Sequence, residues 1–391
     1  MSDVSKTSFG TVFAIWVAGL CAAGQFAKVS VSYGALAEVY PDAGAALGLT
    51  VSLISGMGMV LGAVAGQLVA GLGFRPVLVW GLCLGAAMSF AQATDLGFGL
   101  FLATRFLEGL SHLAIVVAAP TLIAKVTASK HHPAAMTLWS CFFGVAFAGT
   151  AWFGAPIVAN HGPGPLFVLH GIACCVMAGV LALLLPKDDT AEVSLPSFAK
   201  LLTNQTSVYG SPFTSSPALG WLFYTITFVG LLTLLPDMLG PQRGIALIGV
   251  LPLISIISSF TLGVQLLHRC AAFKVLMAGF VGSAIAMAVF LLWPDRNVAF
   301  YLLAISWGLV QGAGFAMVPQ LNSTTEDRAR ANGALAQMGN LGNLVGTPVL
   351  AIVLVTGGPA AVAVTLGVLY GIGFLVQLFL RRMRQHNGVG N

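Results

Sequence analysis

Long apolar runs recur along this chain, most of them at or above the ~20 residues a helix needs to cross a bilayer. Short polar turns separate them. Twelve runs can be marked: 9–35, 46–70, 76–94, 96–124, 134–158 and 164–185, then 217–239, 244–267, 274–293, 298–321, 331–356 and 360–381. One connection is longer and polar: 186–216 carries Asp188, Asp189, Glu192 and several Ser and Pro, and it divides the runs six and six. The pattern predicts an all-α integral membrane protein of twelve transmembrane helices. Residues 1–185 form one six-helix bundle, 186–216 a cytoplasmic central loop and 217–391 a second six-helix bundle.

Composition agrees with the pattern. The 391 residues are 58% hydrophobic and 7% charged, with a mean hydropathy of +0.93. Soluble domains carry ~25% charged residues, so a soluble fold is excluded. The net charge of +5 would suggest nucleic acid only if the cations formed a soluble patch. Here they fall in short loops, where they report orientation. With the N-terminus inside, thirteen Lys and Arg are cytoplasmic, Arg243 and Arg296 lie outside, and Lys28 and Arg105 lie within spans. Both termini are therefore expected in the cytoplasm of a multi-pass protein of the cell membrane, a bacterial inner membrane being the expected case. The first run is too long for a signal-peptide core and should remain as a helix. Cys21, Cys83, Cys141, Cys174, Cys175 and Cys270 show no CxxC or ligand spacing. They read as small apolar side chains.

The two halves repeat. Gly109-Leu110 and Pro120 in the fourth run match Gly308-Leu309 and Pro319 in the tenth at an offset of 199 residues. Gly149-Thr150 in the fifth matches Gly346-Thr347 in the eleventh at an offset of 197. Repeated halves suit a carrier whose bundles move against each other better than a static pore.

Ionisable residues inside a span cost ~2.5–3.5 kcal/mol each and mark function. Arg105, Glu108 and His112 share one helical face by their spacing, as do Gln25, Lys28 and Ser32. If both faces line a cavity, two cations stand against one carboxylate, which favours an anionic solute. Arg can grip a carboxylate with two parallel hydrogen bonds. Snorkelling of Lys28 to the interface and a purely internal Arg105–Glu108 pair are the competing readings. Glu108 and His112 are the candidate proton-coupling groups. In the second half the matching positions are uncharged: Trp307 stands for Glu108 and Gln311 for His112. Tyr224, Gln311, Asn340 and Asn343 would meet the non-ionic part of a solute, or simply bond helix to helix.

The chain resembles the major facilitator superfamily of secondary transporters along its whole length. After the second run, Gly66, Leu68, Gly73 and Arg75 look like that family's cytoplasmic loop motif, with Ala70 and Gly71 at its charged positions. The resemblance implies a gating loop at Gly66, Gly73 and Arg75, without the ion pair. Arg105-Phe106-Leu107-Glu108-Gly109 looks like the family's Arg-x-x-x-Gly motif, whose Arg is tied to substrate or proton handling. It implies a monomeric secondary transporter working by alternating access. Its partners would be a small-molecule solute, protons and the lipid bilayer, with no nucleic acid, cofactor or metal. A small organic anion coupled to protons fits Lys28 and Arg105 best. Proton-driven efflux of amphipathic or cationic compounds, with Glu108 as acceptor, is the alternative. No HExxH or GxSxG is present, so an enzyme is not expected.

Overall fold

The computed structural model describes residues 7–186, 208–294 and 296–386. Most of the predicted central loop, 187–207, lies outside them. The chain divides into two compact units, Met1–Pro196 and Ser197–Asn391.

Backbone N–H and C=O groups in hydrocarbon must be satisfied within the segment, so apolar runs of this length fold as helices. The first unit contains α1 (Phe9–Val31), α2 (Ser55–Leu72), α3 (Phe74–Gln92), α4 (Phe98–Lys125), α5 (Phe142–His161) and α6 (Pro163–Leu184). The second contains α7 (Ser215–Leu239), α8 (Pro241–Leu267), α9 (Ala272–Leu292), α10 (Val298–Leu321) and α11 (Thr325–His386). Ten of these are long and apolar enough to cross a membrane, and α2 with the bent segment before it makes an eleventh.

Two predicted runs differ from single straight helices. Run 46–70 begins in a 3₁₀ turn at Pro41–Leu47 and a short helix at Gly48–Ser52, then bends by 48° into α2. The bend lies against Gly109 of α4, where any Cβ would collide with the Ile54 carbonyl. At the other end of the chain, runs 331–356 and 360–381 both fall in α11, 62 residues long. A helix of that length would reach ~90 Å at ~1.5 Å per residue, far beyond a bilayer core of ~30 Å. Gly358 breaks it, with φ +71° and ψ −172°.

That break has a counterpart. Gly162, between α5 and α6, has φ +73° and ψ −177°. Each of the two glycines is followed by a proline, Pro163 and Pro359, at an offset of 196 residues. The positive φ excludes side chains, and the proline starts the next helix with no donor to lose. Gly109 and Gly308 also match in packing, since a Cβ on Gly308 would collide with the Ser255 carbonyl of α8. Gly149 and Gly346 do not match: open space surrounds Gly149, while Gly346 lies tight on Ile226 of α7.

α1 and α7 are the central helices of their units. Each is 78% buried in its most apolar stretch, against 28% for α6. This is why α1 can carry polar residues: none of Gln25, Lys28 and Ser32 faces lipid, their exposures being 0, 1 and 0%.

Candidate functional site

The charged residues of α1 and α4 meet inside the first unit. Lys28 donates from Nζ to Glu108 Oε1 at 2.8 Å and to Ser89 Oγ of α3 at 2.6 Å. Its ammonium also lies 5.3 Å from the Phe167 ring centroid, within cation–π range. Arg105 pairs through Nη1 with Glu108 Oε2, one turn along α4. Its Nε donates to the Thr50 carbonyl at 2.6 Å. Gln92 Nε2 donates to Glu108 Oε2 at 2.8 Å. Lys28, Arg105 and Glu108 are 1, 0 and 0% exposed.

Neither cation is open to water in this structure, and Lys28 does not snorkel. Glu108 stands between them and binds both. Two open, shallow pockets lie away from this set, one lined by Leu72, Trp80 and Leu110 and one by Phe213 and Asn322. The charge set is unbalanced, with two cations held by one carboxylate. Arg105 Nη2 and Gln92 Oε1 have no partner among the described residues. An uncompensated buried charge costs several kcal/mol, and one positive charge of this set has no carboxylate partner among the described residues.

The bonds continue beyond Ser89. Ser89 Oγ lies 2.8 Å from His170 Nδ1 of α6, and His170 Nε2 lies 2.8 Å from the Cys21 carbonyl. A carbonyl only accepts, so Nε2 carries a proton. With neutral His170, Nδ1 accepts from the Ser89 hydroxyl, which in turn accepts from Lys28.

The other predicted residues divide. Gln25 Nε2 donates to Ser111 Oγ at 2.7 Å, next to Gly85, where a Cβ would clash with both. Ser32 closes α1 through its backbone, and its hydroxyl has no partner among the described residues. His112 faces α1, as its spacing predicts, but its Nδ1 donates to the Ala22 carbonyl at 3.1 Å and its ring meets Phe26. Among the described residues no hydrogen bond ties it to the Glu108 set. In the second unit Tyr224 packs among Trp221, Phe228 and Trp307. Asn340 donates to Ala336 of its own helix at 2.9 Å. Asn343 Oδ1 and Thr347 Oγ1 lack partners among the described residues, and Gln311 is half-buried. The loop residues serve structure. Gly73 supplies the positive φ (+91°) between α2 and α3. Arg75 Nη2 donates to the Ala182 carbonyl at 2.6 Å, capping the end of α6. Gly66 is exposed with nothing near it.

The second unit answers the charge set with a neutral one. Trp307 Nε1 donates to Tyr370 Oη at 2.8 Å, and Tyr370 donates to Thr227 Oγ1 at 2.8 Å. Trp307, Thr227 and Tyr370 follow Glu108, Lys28 and His170 at offsets of 199, 199 and 200 residues. At the offset of Lys28 and Glu108 the second unit thus holds hydrogen-bonded neutral groups, while Tyr370 stands one turn beyond the place that the Gly162–Gly358 offset gives for His170. Ser89, Gln92, Thr50 and His170 escaped the sequence reading. His170 had a signal, a histidine within an apolar run, and the others had none beyond polarity.

Membrane-crossing helices in two repeated sets, one enclosing a polar charge cluster, define a multi-pass membrane carrier. Residues 15–325 match the family model described as Major Facilitator Superfamily. The chain belongs to that superfamily and is a transporter, not an enzyme. It is 30% identical to the 4-hydroxybenzoate transporter PcaK of Pseudomonas putida over 133 residues, 34% of this chain and 30% of that protein. The matched stretch thus spans under a third of that relative. The crystal structure of the human organic anion transporter MFSD10 (TETRAN) matches with a TM-score of 0.66 and 16% identity, over 94% of this chain and 98% of that one. That likeness is one of fold.

Proposed function

We propose that the chain is a secondary active transporter of a small organic anion, coupled to protons and working by alternating access in the cell membrane. Its termini are cytoplasmic, and the two arms of α11 are separate spans, giving twelve. The observation that carries the reading is the buried surplus of one positive charge at Lys28, Arg105 and Glu108, with Arg105 Nη2 unpartnered among the described residues. A carboxylate is the group this arrangement lacks. It would bond Arg105 Nη2 and compete with Glu108 for the remaining donors, so substrate binding and release of Glu108 are one event. Gln25 and Ser32, buried beside Lys28 in the first unit, are proposed to meet the rest of the solute.

Export of cations is disfavoured by the same geometry. Both oxygens of Glu108 are engaged by Lys28, Arg105 and Gln92, which leaves no free carboxylate for a cationic solute. The stretch shared with the 4-hydroxybenzoate transporter supplies the first probe. Purified protein in proteoliposomes should exchange radiolabelled 4-hydroxybenzoate or a related aromatic carboxylate across the bilayer. Arg105→Lys keeps the charge but loses the planar fork, and exchange should fall at least about tenfold, the equivalent of one ~1.4 kcal/mol contact. Arg105→Gln should abolish it. Carboxylate exchange untouched by Arg105→Gln, or cation efflux in its place, would overturn the reading.

A further inference from the structure

We propose that His170 is the proton-binding residue that couples proton movement to anion binding, acting on the anion site through Ser89. The proposal rests on the anion reading above and names the proton site within it.

Three ionisable groups of the first unit compete for the role. Glu108 is sealed and held on both oxygens by cations and an amide. His112 has Nδ1 tied to a backbone carbonyl and, among the described residues, no hydrogen bond to the charge set. His170 differs from both. It is half-buried, so the run of bonds from Glu108 through Lys28 and Ser89 leads from the sealed core toward the edge of the unit. Its Nε2–H is committed to the Cys21 carbonyl, which fixes the ring and leaves Nδ1 as the one nitrogen able to gain or lose a proton. That nitrogen points at the hydroxyl that holds Lys28.

The two states of His170 make different demands on Ser89. With Nδ1 bare, the Ser89 hydroxyl donates to His170 and accepts from Lys28. With Nδ1 protonated, Nδ1–H donates to Ser89 Oγ, and both cations then press on one oxygen. Lys28 loses part of its anchor, and the positive surplus of the set rises from one charge to two. One proton is taken from hydronium onto Nδ1, the Ser89 O–H···Nδ1 hydrogen bond is replaced by Nδ1–H···Oγ, and no covalent bond of the protein is broken. An anion therefore binds more tightly to the protonated form, and by linkage the bound anion tightens the proton. The two travel together, which is symport.

The groups facing His170 are compatible with this role. α1 presents Lys28 and Cys21, and α3 presents Ser89. Glu108 of α4 lies beyond Lys28 in the same run of bonds, and Arg105 stands beyond it. Cys174 on α6 lies 3.8 Å away. The end of α5 packed on α6 brings only His161, which is exposed. Among the described residues no carboxylate touches the ring, and Glu108, the nearest carboxylate along the run of bonds, is already shared by Lys28 and Arg105.

The test uses His170→Asn, whose side-chain oxygen can replace Nδ1 as the acceptor for Ser89 but cannot take the proton. In proteoliposomes, exchange of radiolabelled 4-hydroxybenzoate at equal pH on both sides should persist in the variant, which also shows that it is folded. Accumulation driven by an inward proton gradient should be lost. Probe affinity of the wild-type protein should fall as pH rises, by up to about tenfold per unit for one linked proton, and be flat in His170→Asn. Should that variant not fold, Ser89→Ala cuts the link and should flatten the same pH dependence. Accumulation or pH dependence unchanged in a folded His170→Asn, or unchanged in Ser89→Ala, overturns the proposal. Absence of any carboxylate exchange by the wild-type protein overturns the anion reading instead.

Discussion

Glu108 accepts from three donors on two oxygens, and two of those donors are cations that nothing else neutralises. Removing its charge leaves two buried cations without a partner. Breaking a buried pair from one side costs ~3–5 kcal/mol, so Glu108→Gln should lower the detergent melting temperature more than Lys28→Gln or Arg105→Gln. The double variant Lys28→Gln/Glu108→Gln should recover part of the loss, because one stranded cation is gone. A melting series in which the double variant falls by the sum of the singles would contradict direct pairing. At this scale the sequence was informative where a residue betrays itself. Lys28, Arg105 and Glu108 stand out as charges in apolar runs, and the i,i+3 spacing foretold the Arg105–Glu108 contact. It was blind to Ser89, Gln92 and the Thr50 carbonyl, since their part depends on which helices become neighbours.

The elements are punctuated by a few glycines whose backbone no side chain could adopt. Gly162 and Gly358 share nearly the same φ and ψ and each precedes a proline. An alanine forced into that region costs ~1–3 kcal/mol. Gly162→Ala and Gly358→Ala should therefore destabilise by similar amounts, read as matching drops in melting temperature. Gly66→Ala, in open space, should be silent. Gly308→Leu should cost more than any of these, because α8 and α10 touch there through the Ser255 carbonyl. Apolar run lengths made the helices themselves legible. The bend before α2 was not, since it comes from α4 pressing on Ile54 across the unit. The repeat was legible at Gly109 and Gly308. Gly149 and Gly346 share residue type but not packing, while Gly-Pro at 162 and 358 repeats in sequence and in backbone.

Across the whole molecule the repeated halves differ most in charge. The first unit buries the ionic set Lys28, Arg105 and Glu108, while the second bonds the neutral groups Thr227, Trp307 and Tyr370. This asymmetry sets the charge moved per cycle. In the proposed cycle the buried set begins with one positive charge, gains one more when His170 is protonated, and is relieved of one when a monocarboxylate binds. It thus returns to its starting charge with proton and anion both aboard. The loaded carrier reorients with no more charge than the empty one, and the cycle transfers none. Uptake of a monocarboxylate should follow the pH gradient and collapse with an uncoupler. It should not change when a potassium diffusion potential of either sign is imposed with valinomycin at constant pH. One elementary charge crossing the membrane is worth ~2.3 kcal/mol per 100 mV, close to fiftyfold in an accumulation ratio. A potential-driven rise of that order would mean that a second proton or another cation travels with each anion, and that a further ionisable group beyond His170 takes part.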